Sequence, residues 1–146
     1  MSSLKEILGQ SPKRAAVVAD AVSVLDQEVA DKSGISGIAI KAAYSVVKGI
    51  KPGFIPDVVD GLLDDFLDAL NPIYQEAVER KETPGRHLTA NSDRAADAML
   101  AITDARAARS KHSVVQKTYE KLRPTAKKHV SAAGPRLGQL LDRHVA

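Results

Sequence analysis

The chain has 146 residues, 44% of them hydrophobic but only 3% aromatic, with no cysteine and a formal charge of +3. That length suits one domain with a real core, and the absent thiols exclude disulfides, thiolate catalysis and every cysteine-based metal site. The rings, Tyr44, Phe54, Phe66, Tyr74 and Tyr119, are too few and scattered for a base-stacking nucleic-acid reader or an aromatic ligand cage.

The first segment, MSSLKEILGQ, has no basic start followed by an apolar run, and no stretch approaches the roughly 18 apolar residues of a membrane span. The chain is therefore expected to be unprocessed, soluble and cytoplasmic. Ser3 with Glu6 forms a capping box for a short first helix. Ser11-Pro12 supplies an N-cap and a proline at the first helical position, and Val18, Val22, Leu25 and Val29 follow at helical spacing to near Lys32. Gly34 and Gly37 break that helix. A third is predicted over Ile38 to Ile50, with Ala39, Ala43, Val46 and Ile50 on one stripe, closed by Gly49 and Lys51-Pro52-Gly53. Pro56 opens a fourth, which Asn71-Pro72 ends while starting another to about Lys81.

Residues 82–91, ETPGRHLTAN, read as an irregular connection between two helical halves of a single domain spanning 1–146. Ser92 caps an alanine-rich helix containing Met99, Leu100 and Ile102. A helix over Ser113 to Leu122 follows, Pro124 restarts it through Val130, and Gly134-Pro135 begins the last with Leu137, Leu140, Leu141 and Val145. Seven or eight short amphipathic helices and no convincing strand predict an all-α compact bundle.

The most chemical-looking stretch is DDFLD, Asp64 to Asp68, which matches the DDxxD pattern with which helical isoprenoid synthases hold magnesium and a diphosphate. On a helix Asp57, Asp60, Asp64 and Asp68 fall within about 80° of one another, opposite Ile55, Val59, Leu62, Phe66 and Leu70. Those synthases are larger and need a second acidic motif, which this chain lacks, so the aspartates read as a helix's wet face. No metal and no cofactor are expected.

The turn KSGISGIAIK is a candidate anion site. Lys32 and Lys41 flank Ser36, Gly37 and Ile38, whose amides would point from a helix N-terminus. Its GISG resembles the GXXG loop of KH domains, without the strands that fold requires, and a plain tight corner between two helices is the reading preferred to anion binding. His87, His112, His129 and His144 stand at no metal-binding spacing, and His87, in the irregular connection, reads as an exposed loop histidine in preference to a catalytic one.

Charge is segregated along the chain. Residues 55–82 carry eight acids against two bases, −6; residues 104–146 carry ten Lys/Arg against three acids, +7. The basic half supplies the candidate nucleic-acid residues Arg106, Arg109, Lys117, Lys121, Lys127, Lys128 and Arg136. The rival reading is that it lies against the acidic segment, within the chain or in an antiparallel homodimer.

Taken together, SLKEIL, the block KSGISGIAIKAAYSVVKGIKPGFIPDVVDGLLDDFLDAL, ADAMLAITDARAARS, KTYEKLRPTAKKHV and PRLGQLLDRH resemble an uncharacterised family of small all-helical bacterial proteins, a domain of unknown function. The resemblance spans nearly the whole chain, implies a helical domain and carries over no functional residue. The residues thus point to a non-enzymatic protein acting by protein association, as a homo-oligomer or with another partner and not at a membrane. Nucleic-acid or anion binding through the basic half and the Gly34–Gly37 turn is the alternative.

Overall fold

Ser3 Oγ accepts from the Glu6 amide at 3.2 Å and the Glu6 carboxylate accepts from the Ser3 amide at 3.0 Å, so the capping box closes as the sequence predicts. It starts α1 (Leu4–Leu8). The computed structural model describes residues 2–145. Seven further helices follow: α2 (Lys13–Asp31), α3 (Gly34–Lys48), α4 (Phe54–Glu79), α5 (Pro84–Ala90), α6 (Ser92–Ala108), α7 (Ser113–Ala132) and α8 (Gly134–Val145). The described residues contain no strand, and the protein is all-α.

Several boundaries differ from the sequence expectation, among them the start of α4, at Phe54 instead of Pro56. Helix α2 starts one residue later, at Lys13, with Pro12 as its N-cap. Helix α3 starts at Gly34 instead of Ile38, because Gly34 takes φ +74° and turns the chain at once. Neither Pro72 nor Pro124 ends a helix; α4 and α7 run through them. Each proline leaves one carbonyl four residues earlier without its amide, those of Asp68 and Glu120. Both residues are exposed, where water can reach the vacant acceptor. Finally, the stretch 82–91, expected to be irregular, contains α5, entered through Thr83 as N-cap and Pro84 at the first position.

Helix α4 is the hub. Its 26 residues span about 39 Å, and α1, α2, α3, α5 and α6 all pack on it. Leu63 and Leu67 occupy the buried places that the pattern assigns to Leu62 and Phe66, which are half-buried. The shift follows from α2, which covers the aspartate side through Arg14 and draws the buried stripe round towards it. Leu4, Leu8, Val17, Ile73 and Leu88, each no more than 2% exposed, mark where α1, α2, α4 and α5 meet.

Helices α5 and α8 touch backbone to backbone. A Cβ on Gly138 would stand 2.6 Å from the Gly85 carbonyl oxygen, and one on Gly85 would stand 2.4 Å from the Gly138 oxygen. The Gly85 amide donates to Asp142 Oδ1 at 2.8 Å. Helices α6 and α7 run antiparallel, laced by Ser131 to Asp93 at 2.5 Å, Lys127 to Asp97 at 3.1 Å and Arg123 to Asp104 at 2.8 Å.

Candidate functional site

The three acids of DDFLD are each met by a cation from a different helix. Arg14 of α2 reaches Asp64 at 2.7 Å and Asp60 at 2.9 Å, Arg106 of α6 reaches Asp65 at 3.3 Å, and Lys5 of α1 stands 3.7 Å from Asp68. Arg14 also donates to the carbonyls of Gly9 and Asp60 at 2.9 Å. The pair of carboxylates holds the Arg14 guanidinium above its ordinary pKa, Asp64 contributing first. The stripe is therefore an inter-helix clamp as well as a wet face. Among the described residues, no three metal-binding side chains converge.

Arg106–Asp65 is also the one described ion pair joining the acidic segment 55–82 to the basic segment 104–146. The other basic residues turn elsewhere. Arg136 binds Glu28 at 2.5 Å and Asp31, and Arg143 and His144 bind Asp20 at 2.8 Å. All three of those acids lie on α2.

At the glycine turn, Lys32 Nζ reaches the His129 carbonyl at 3.3 Å and lies 3.9 Å from Glu28. Ser36 Oγ stands 3.2 Å from His129 Nε2, and burial beside Lys32 and Lys128 lowers the His129 pKa. These contacts bind α3 to α7. Because the helix begins at Gly34, the Gly37 and Ile38 amides fall within its hydrogen-bonded body, and of the three amides predicted to point outward only that of Ser36 belongs to the first turn. Gly37 is buried, its missing Cβ giving room to the Lys32 backbone 2.8 Å away. Lys41 is exposed and enters no ion pair among the described residues.

The unexpected feature is the outer side of α3. Ile35 is 91% exposed, Ile38 69% and Val46 53%, and Ala39 and Ala42 between them are exposed too. At 100° per residue these five fall in an arc of about 100°. The stripe of Ala39, Ala43, Val46 and Ile50, predicted from spacing to face the core, is thus half-buried at Ala43 and Ile50 and open at Ala39 and Val46. Helix α3 is apolar on more than one side, and α2, α4 and α7 cover only the other side. There Tyr44 donates to Asp26 at 2.5 Å, and the Tyr44 phenol is pushed up, first by burial and then by that carboxylate. Lys48 lies over the Tyr44 ring at 5.2 Å.

The predicted nucleic-acid residues divide in two. Arg106, Lys127 and Arg136 are held by Asp65, Asp97 and the Glu28–Asp31 pair. Lys117, Lys121 and Lys128 are exposed, enter no ion pair among the described residues, and share an arc of about 40° on α7. Arg109, at the end of α6, donates only to its own helix, to the Ala105 carbonyl at 3.3 Å.

His87 is buried, 3% exposed, contrary to the expectation of a loop histidine. Its Nε2 stands 3.0 Å from Glu76 and its Nδ1 3.0 Å from Glu82, while Arg94 holds Glu76 at 2.7 Å. Arg94 first and His87 second bring the Glu76 carboxyl down to about 2. The sequence signal was present: Thr83-Pro84 is the same helix-start pair as Ser11-Pro12.

These features define an all-α protein whose charged groups mostly tie helices together and whose surface carries an open apolar face on α3 and a lysine row on α7. Residues 4–145 match a family described as a family of unknown function (DUF6918), and the chain belongs to that family. No curated protein and no solved structure matches it. No helix of the described residues is long and apolar enough to cross a membrane.

Proposed function

We propose that this protein acts by association, with the outer face of α3 docking an amphipathic helix of a partner protein that carries acidic residues on its flanks. The observation that carries this reading is the apolar arc of Ile35, Ile38, Ala39, Ala42 and Val46 left open to water on a folded surface. Charge supports the choice of partner. Among the described residues, Glu79 and Glu120 are the carboxylates that enter neither an ion pair nor a hydrogen bond, whereas Lys41, Lys117, Lys121 and Lys128 remain unpaired around α3 and α7. A second copy would bring few free acids to those lysines; an acidic helix would bring many.

The test uses two synthetic peptides, one of leucine and glutamate heptads and its leucine–lysine counterpart. The acidic peptide binds, the basic one binds about tenfold more weakly or not at all, and Ile35→Glu with Ile38→Glu weakens the acidic complex more than about tenfold. Both positions are exposed, so the double variant keeps its thermal midpoint. Acidic-peptide binding that ignores the double substitution overturns the reading. Light scattering that finds a dimer split by those substitutions would transfer the face to a second copy.

The lysine row supports a second reading, in which Lys117, Lys121 and Lys128 track a nucleic-acid backbone. It expects salt-sensitive retention on duplex DNA, lost when the three lysines become glutamate; no retention at low salt removes it. Lys127 is a poorer probe, since its substitution also strips Asp97 of its partner.

A further inference from the structure

A cleft of about 770 Å³ opens where α3, α4, α6 and α7 converge. Its walls are Val47 of α3, Phe54, Val58 and Leu62 of α4, Ala107 of α6 and Val115 of α7. The volume falls in the range of roughly 300–1,000 Å³ common to small-molecule sites. Phe54 is fixed there edge-on to His112, ring centres 5.5 Å apart, at the turn entered through Gly53 at φ +74°.

Two features show that this is more than a packing fault. Gly61 stands on the cleft side of α4, inside a helix, where glycine costs about 1 kcal/mol relative to alanine. Packing does not require it: a Cβ there would meet only Arg106 Nη1, at 3.8 Å. The missing side chain keeps the cleft open. The charges at the mouth are also uneven. Asp57 is balanced by Lys51 at 3.6 Å and Asp65 by Arg106 at 3.3 Å, which leaves Arg109 with guanidinium donors and no acid partner among the described residues.

The geometry points to a binding site for a small apolar molecule bearing one carboxylate, the chain or ring lying along Val58, Leu62 and Val115 and the carboxylate meeting Arg109. Desolvation of the apolar part supplies the attraction, and the unpaired guanidinium selects anion over cation. This site is separate from the outer face of α3, to which only Val47 of the same helix connects it.

Calorimetric titration of the intact protein with decanoate, and with decylamine as the cationic match, tests this. Decanoate binds at one saturable site, and decylammonium binds about tenfold more weakly, as expected from one charge-assisted contact. Gly61→Leu fills the cleft and abolishes decanoate binding while helicity and thermal midpoint stay at or above those of wild type, since it replaces a helical glycine in open space. Arg109→Glu reverses the preference between the two ligands. Ile35→Glu with Ile38→Glu leaves decanoate affinity unchanged, which separates the cleft from the α3 face. The assignment is overturned if decanoate shows no saturable binding, if Gly61→Leu binds it like wild type, or if the two ligands bind equally.

Discussion

Gly138→Ala is expected to destabilise the protein by about 3 kcal/mol, the upper part of the usual overpacking range, and to lower its thermal midpoint by roughly 10 °C. The added methyl would stand 2.6 Å from the Gly85 carbonyl oxygen and 2.9 Å from Thr89 Oγ1. Backbone cannot swing aside as a flexible side chain can. Helices α5 and α8 must separate instead, which also strains the bond from the Gly85 amide to Asp142 and loosens Leu88, Leu140 and Leu141 of the core. Gly61→Ala is the matched control: the same change of residue in open space, with an expected gain of up to about 1 kcal/mol. Urea melts of the two variants beside wild type check both signs. Equal effects at the two positions would refute the backbone-contact explanation.

His87→Leu is expected to cost about 2 kcal/mol, although it keeps the buried volume, because its ring contacts with the Glu82 and Glu76 carboxylates disappear. Ionised carboxylates only accept, so the ring N–H is the donor, and each ring nitrogen stands 3.0 Å from a carboxylate oxygen. The arrangement ties the C-terminal end of α4 and the 80–82 turn to α5. Glu76 and Glu82 are each partly exposed and can turn to water, which keeps the cost below that of orphaned buried charge. Glu76 adds a pH dependence. Its folded carboxyl, held at about 2 by Arg94 and then His87, lies below its ordinary 4.5. Its contribution is therefore complete above pH 4.5 and is lost as the pH falls through about 2. Wild type should exceed Glu76→Gln in urea midpoint at pH 7, and the gap should shrink as the pH is lowered towards 2. A gap that is constant over that interval would contradict the assigned role.

Helix after helix was legible because caps and apolar spacing are local. Ser3 and Glu6 needed only one another, and the 3.6-residue period marks an apolar face wherever the chain goes. The same local rules erred where the surroundings outweighed them. Pro72 and Pro124 were predicted to stop helices, yet each sits on an exposed side where water can take the freed carbonyl. Gly85 looked like a loop residue, yet it is there because α8 comes too close for any side chain. That displaced His87 from an imagined loop to a buried helix.

The candidate site was legible in part. The basic residues were all visible, but nothing in their spacing could separate Lys117, Lys121 and Lys128, which meet no acid among the described residues, from Arg106, Lys127 and Arg136, held by acids 30 to 108 positions away. Segregation of charge along the chain was real, but pairing acts over a few ångströms, so the fold chose the partners. Arg14, not the basic half, took the centre of the aspartate stripe.

Sequence alone determined that this chain is helical, cysteine-free, and apolar along one face of most helices, since those properties depend on residues within a turn or two of each other. Tertiary structure alone decided which apolar faces were covered. Val17 and Ile35 are both β-branched aliphatic residues near the start of a helix, yet Val17 is 1% exposed and Ile35 91%. Burial is a property of what packs opposite, and no periodicity within α3 could report that none of the described residues covers its outer face.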